Sequence, residues 1–203
     1  MSTSSGSRAS YHHGSLRQAL VDGAHQLLVE SGEAGFSLNN LARRLGVSTA
    51  APYRHFADRD ALLATVAEQG YAQLDTALRT AAGGSAEPAE QLLQMGVAYL
   101  SFATANPALF GIMFRPRPDG ENEADTAPFE VLVDVVGSAQ LAGCLRGDVP
   151  PRILARTIWA TVHGLSSIVL AGGLATLKLD DTPQQLAMDT LRTFLREEPR
   201  PDR

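Results

Sequence analysis

SLNNLARRLGVSTAAPYRHF, residues 37–56, reads as two short helices joined by a tight turn. The first carries Leu38, Leu41, Ala42 and Leu45 at helical spacing, and the Ser37 hydroxyl before it can accept from a free amide of the first turn. Gly46 ends it, because glycine can take the left-handed backbone that closes a helix; Val47 is then expected to pack beneath the turn and Ser48 to cap the next helix. Two helices that cross steeply after so short a turn leave little room where they touch. Ala42 is small enough to permit that approach.

The spacing predicts a second helix over residues 49–55, with Thr49, Ala50 and Ala51 at its start and Tyr53, Arg54 and His55 behind them. That surface suits the major groove of DNA. Small side chains let the N-terminal end of a helix approach base edges, and a threonine or alanine methyl can touch a thymine methyl. Tyr53, His55 and the amides of Ser48 and Thr49 could hold phosphates, which set register, while the groove-facing residues specify sequence. An ordinary helical hairpin has the same spacing and stands as the alternative at this point.

The flanks add specificity. From Tyr11 to about Leu63 the sequence resembles the tetracycline-repressor-like (TetR) family of bacterial regulators, through Phe36-Ser37, Leu41-Ala42, Gly46-Val47-Ser48, Tyr53, Phe56 and Asp58-Arg59-Asp60-Ala61-Leu62-Leu63. The resemblance implies that Ser37, Thr49, Tyr53, His55 and Arg59 touch the DNA backbone and that Thr49, Ala50 and Ala51 read bases. Arg44 and Ser48 complete the set of candidate DNA contacts. Pro52 departs from the family, which usually has a larger aliphatic residue there. Proline lacks an amide hydrogen, so a stiffened but intact recognition helix is expected.

Composition fits such a regulator. The chain has 203 residues and a formal net charge of −5, yet residues 1–60 hold six arginines against five acids, and the remainder eleven bases against seventeen acids. A neutral-to-basic head on an acidic body permits focused DNA contact while the body repels nonspecific binding. Cys144 is the single cysteine, so no intrachain disulfide forms and a reducing compartment is the natural setting. The opening residues, MSTSSGSRAS, are small and polar and carry no signal-peptide core. The expected location is the cytoplasm.

Beyond the head the chain reads as all-α. The expected organisation is a disordered arm over residues 1–10, a helix-turn-helix DNA-binding domain over 11–60, a helical ligand-binding and dimerisation domain over 61–197 and a tail over 198–203. Ser15 with Gln18 reads as a capping box opening a first helix that Gly32 stops near Ser31. A helix follows Asp58 and runs to Gly83-Gly84, and another spans residues 87–105. Asn106-Pro107 opens a short helix through Phe114, residues 115–125 with Pro116, Pro118 and Gly120 form a loop, and further helices fit 127–143, 151–171 and 183–197. Thr182-Pro183-Gln184-Gln185 combines a capping box with proline at the first helical position.

Residues 157–177 hold no charged side chain apart from a possible His163, about the length of a membrane span. Thr157, Thr161, Ser166, Ser167 and Gly172-Gly173 interrupt that run, and the expected reading is a helix at a subunit interface rather than in a membrane. With the apolar side of 183–197, including Leu186, Leu191, Phe194 and Leu195, it could build a twofold four-helix contact between two copies. The family resemblance implies the same pairing.

Trp159, His163 and Gly164, within TIWATVHGL, resemble the Trp-His-Gly signature of one subgroup of these regulators. Met95, Tyr99, Phe102, Phe110, Met113, Phe114, Trp159 and His163 are the candidates to line an apolar cavity for a small-molecule effector, with plain core packing as the alternative. No second histidine stands near His163 at metal-site spacing, and no metal or cofactor is expected. The expected function is a homodimeric repressor on an inverted-repeat, double-stranded operator, released when an effector enters the body. An activator, or a ligand-binding scaffold of the same fold, is the alternative. An enzyme is not expected, since the sequence lacks a phosphate-binding loop, a dinucleotide fingerprint, HExxH and GxSxG; Gly164-Leu165-Ser166-Ser167-Ile168 fails at the last glycine.

Overall fold

The computed structural model describes residues 13–115, 123–174 and 181–196. The expected arm, the C-terminal tail and the Pro116-Pro118-Gly120 part of the loop lie outside the described residues. Among the described residues the chain is all-helical, with eight α-helices, one 3-10 turn and no strand. The helices are α1 His13–Ser31, α2 Leu38–Arg44, α3 Arg59–Ala82, α4 Pro88–Ala105, α5 Pro107–Met113, α6 Glu123–Leu141, α7 Pro151–Leu170 and α8 Pro183–Arg192, with the 3-10 turn at Pro52–Arg54. The chain divides into two compact units, Met1–Val66 and Ala67–Arg203.

In the first unit α1 packs on α2, and Leu20 and Leu28 of α1 and Leu41 of α2 are fully buried. Gly23 permits that approach, since a Cβ on it would stand 2.9 Å from Leu41 Cδ1. The Ser37 hydroxyl accepts from the Asn40 amide at 3.1 Å, as its capping position requires. Gly46 takes φ +67°, and the amides of Gly46 and Val47 turn back to Arg43 O and Ala42 O at 3.2 and 3.0 Å. These two bonds satisfy carbonyls that the end of a helix leaves open. Gly32, at φ +64°, closes α1 in the same left-handed region.

Two expectations in this unit are corrected. α1 is already helical at His13, so Ser15 does not open it, and Gln18 Nε2 instead donates to Asp22 Oδ1 one turn on at 2.8 Å. The segment expected to be an intact helix over residues 49–55 is a turn followed by the single 3-10 turn. Pro52 explains the change. It has no N–H to give the Ser48 carbonyl, which takes the Ala51 amide at 2.9 Å, and the Arg54 and His55 amides then reach Ala51 O and Pro52 O at 3.2 and 3.0 Å. Ala51, not Ser48, occupies the cap of that turn, without a side-chain bond.

The second unit is built around α4, which packs against α5, α6, α7 and α8. Gly96 lets α8 come close, because a Cβ there would collide with Leu191. Gly70 does the same for α5, with Met113 Sδ 2.8 Å from where its Cβ would be. Asp58 Oδ1 accepts the Ala61 amide at 2.8 Å at the start of α3, and Thr182 accepts the Gln185 amide at 3.2 Å at the start of α8.

Helix limits differ from expectation in two places. α6 begins at Glu123, ahead of the expected 127, with Pro128 inside it; so close to the start, proline removes only one bond of the ladder. α8 ends at Arg192 rather than at 197. Phe194 and Leu195 continue as turns, and the Arg196 amide donates to Cys144 O at 2.9 Å, a partner outside the helix. Asn106 also behaves differently, sending its side-chain amide back to Phe102 O at 3.0 Å rather than capping α5.

Candidate nucleic-acid interface and ligand cavity

In the first unit, α2 and the Gly46 turn hold out a continuous exposed strip made of Ser48, Thr49 and Ala50, with Ala51 half-buried beside it. Tyr53 is 55% exposed, Arg54 is exposed, and His55 is half-buried. Beneath the strip the buried Pro52 and Phe56 anchor the segment, and Arg17 lies over the Phe56 ring at 5.0 Å. The chemistry on offer is two small side chains, two hydroxyls, a phenol, an imidazole and a guanidinium. It fits a polyanion with methyl groups in its groove.

Two candidate contacts are committed within the unit. Arg44 forks onto both carboxylate oxygens of Glu30, and that hydrogen bonding holds the Glu30 carboxyl below the usual carboxylate range. Arg59 donates to Glu33 Oε1 at 3.0 Å and Glu33 O at 3.2 Å, and it lies over the Phe36 ring at 5.5 Å. Arg54 was not among the candidates. Its position beside Tyr53 in the sequence was the available signal, but an intact helix would have turned it away from the Thr49 side.

In the second unit the candidate ligand residues separate into two groups. Tyr99, Phe110, Phe114, Trp159 and His163 form one aromatic cluster, in which the Tyr99 phenol and His163 Nδ1 are 2.9 Å apart. Burial pushes the Tyr99 phenol up and the His163 imidazole down from their ordinary values, so both are neutral at pH 7. Tyr71 joins edge-on to Phe114 and donates its hydroxyl to Met113 O at 2.7 Å.

Two cavities flank Tyr99 and Trp159. The inner one, about 30 Å³, is bounded by Leu92, Met95, Ile158, Val162 and Leu191 among others, and is no larger than a water site. The outer one, about 320 Å³, is lined by Tyr71, Leu74, Tyr99, Phe114, Asp125, Thr126, Pro128, Phe129, Arg156 and Trp159. Tyr99, Phe114 and Trp159 thus face the larger cavity and Met95 the smaller, while Phe102, Phe110, Met113 and His163 line neither. Phe110 and Met113 are buried packing residues beside them. The wall from α6 was missed in the sequence because proline-flanked Phe129 read as the start of a helix. Arg156 had a signal in being the last charge before the long uncharged run. Among the described residues no group of three metal-ligating side chains occurs.

On α7, Ile153, Thr157, Ala160 and Ile168 form an exposed stripe at helical spacing, with Gly164 half-buried within it and Ala171 exposed just past its end. That helix is long and apolar enough to cross a membrane.

Residues 20–66 match the family described as bacterial regulatory proteins, tetR family, and residues 92–195 match the tetracyclin repressor-like C-terminal domain. Over 135 residues the chain is 29% identical to the HTH-type transcriptional regulator Rv1816 of Mycobacterium tuberculosis, covering 64% of this chain and 58% of that protein. The match therefore spans less than two thirds of that relative's length. A solved structure of a protein with unknown function from Rhodococcus sp. RHA1 is 34% identical with a TM-score of 0.79, covering 92% of this chain and 97% of the other. A TetR-family transcriptional regulator from Pectobacterium atrosepticum shares the fold with a TM-score of 0.74 at 20% identity, over 96% of this chain and 100% of the other.

Proposed function

Since the chain belongs to the tetR family of bacterial regulatory proteins, we propose that it is a sequence-specific DNA-binding transcriptional regulator. In this reading it is a homodimeric repressor that holds an inverted-repeat operator with two heads and lets go when a small molecule enters each body. The observation that carries it is the exposed strip Ser48-Thr49-Ala50 with Tyr53 and Arg54, held out on a capped and fully packed two-helix support. Thr49, Ala50 and Ala51 read bases; Ser37, Ser48, Tyr53 and His55 hold phosphates. Arg44 and Arg59 serve DNA only by exchanging or sharing their carboxylate partners.

The exposed apolar stripe of α7 supports pairing with a second copy, and its hydroxyls and glycine suit close helix contact better than lipid. Twofold symmetry then places two heads on one face of the duplex, a turn or more apart. A ligand that favours a different spacing of the heads shifts the population away from the bound state. α3, whose residues are divided between the two units, is the proposed lever. A regulator of bacterial genes works beside the chromosome, so the proposed location is the cytoplasm.

Fluorescence anisotropy tests the reading, with the protein titrated against DNA from upstream of its own gene and against a scrambled duplex at several salt concentrations. Tight binding to the upstream DNA alone, weakening with salt, is expected. Equal weak binding to both duplexes would remove the claim of sequence-specific regulation at that site.

A further inference from the structure

We propose that the outer cavity takes a small planar aromatic acid, its ring held among Tyr71, Phe114, Phe129 and Trp159 and its carboxylate paired with Arg156. This rests on the reading of the chain as a ligand-released regulator and gives the ligand a chemical class. At about 320 Å³ the cavity lies at the lower end of the range for small-molecule sites, about 300–1,000 Å³, which suits one or two rings rather than a long chain. Aromatic faces in the wall favour a flat partner that can stack or meet an edge.

The charges decide the sign. Arg152, one helical turn before Arg156, is consumed by a fork onto Glu130 at 2.8 and 2.6 Å and lies over the Phe129 ring at 5.4 Å. Arg156 is exposed, lines the cavity, and makes no ion pair among the described residues. Asp125, the acid in the same wall, already has a partner of its own. The site therefore presents one uncommitted guanidinium beside an aromatic box. A guanidinium binds a carboxylate through two parallel hydrogen bonds, which fixes the orientation of the ring behind it.

The test is calorimetric titration of the full chain with 1-naphthoate, its uncharged counterpart 1-naphthamide and the cation 1-naphthylmethylammonium. Naphthoate is expected to bind about tenfold more tightly than the amide, the worth of a charge-assisted pair at a partly exposed site. Arg156→Gln should bring naphthoate down to the level at which the native chain binds the amide, and an unchanged thermal melt reports that the variant is folded. Equal binding of all three probes, tighter binding of the ammonium, binding of none, or indifference to Arg156→Gln would overturn the proposal. Anisotropy on DNA with the same preparation separates the two levels. Operator binding without naphthoate binding removes only the ligand class, whereas naphthoate binding by a protein that reads no DNA removes only the regulatory reading.

Discussion

The phenol oxygen of Tyr99 on α4 lies 2.9 Å from Nδ1 of His163 on α7, and the imidazole is ringed by Phe110, Phe114 and Trp159 at centroid distances of 5.3, 4.6 and 5.3 Å. A polar pair enclosed by aromatic rings is stable only while both members are neutral and bonded to each other. The pair joins the two helices behind the outer cavity, of which Tyr99 is a wall.

A pH dependence follows. Burial lowers the folded-state value of His163 below the ordinary 6.5, so the unfolded chain takes up this proton first as the pH falls. The contribution is fully present above 6.5 and is lost as the pH drops through the lower folded value. Thermal melts between pH 8 and pH 5 should therefore fall more steeply for the native chain than for His163→Gln; parallel slopes would contradict this. Tyr99→Phe keeps the ring and removes the bond, and should cost about 1 kcal/mol at pH 7.

Glycine substitutions separate two mechanisms. Gly46 sits at φ +67° with nothing within 4 Å of where a Cβ would stand. Gly46→Ala should therefore cost about 1–2 kcal/mol through the left-handed backbone alone. Gly96→Ala should cost about 1–3 kcal/mol by overpacking against Leu191. Urea unfolding measures both. Trimming Leu191 to Val should recover part of the second loss and none of the first, and recovery of both would show that the mechanisms are not distinct.

These cases also mark what was legible in the sequence. Ser37, Gly46, Asp58, Gly83 and Thr182 act through bonds of their own neighbourhood, and a cap or a left-handed glycine is written within four residues. The all-α architecture followed from such punctuation. Pro52 was legible as a departure, but its effect depends on whether the Ser48 carbonyl finds another donor, and it found Ala51. The cavity was the least legible part. Tyr99, Phe114 and Trp159 were named from the sequence, whereas Tyr71, Phe129 and Arg156 come to the same wall from three helices whose relative rotation no local pattern records. The same limit hid Glu30 and Glu33, which take up Arg44 and Arg59 across 14 and 26 residues of chain.

On the proposed reading, the exposed strip of the head divides into residues that set affinity and residues that set preference. Tyr53→Phe removes one hydroxyl and should weaken every operator sequence by a similar factor. Thr49→Ala or Ala50→Ser should instead reorder the preferred bases, with about 1–3 kcal/mol at stake per base read. Binding selection from a randomised duplex library measures both effects. If Tyr53→Phe altered the selected sequence and the Thr49 and Ala50 variants left it unchanged, the assignment of roles would be reversed.

The stripe on α7 makes the last prediction. Ile153 and Ile168 are 43% and 42% exposed in the single chain, on a helix whose opposite face carries the buried Leu154, Ile158 and Val162. A Cβ on Gly164 would meet nothing within 4 Å of its own chain, so the glycine is not required by the packing of one copy. Close approach of a second helix would require it. Gly164→Leu and Ile168→Asp should therefore leave the melting of the monomer nearly unchanged, since substitutions that meet no atoms of their own chain's core seldom shift stability by more than about 0.5 kcal/mol. Both should convert a dimer to a monomer in sedimentation velocity, and operator binding should fall with the dimer because one head alone reads half a site. Variants that sediment as the native chain does would take the interface away from this face, and a native chain that sediments as a monomer would remove the twofold reading of the operator with it.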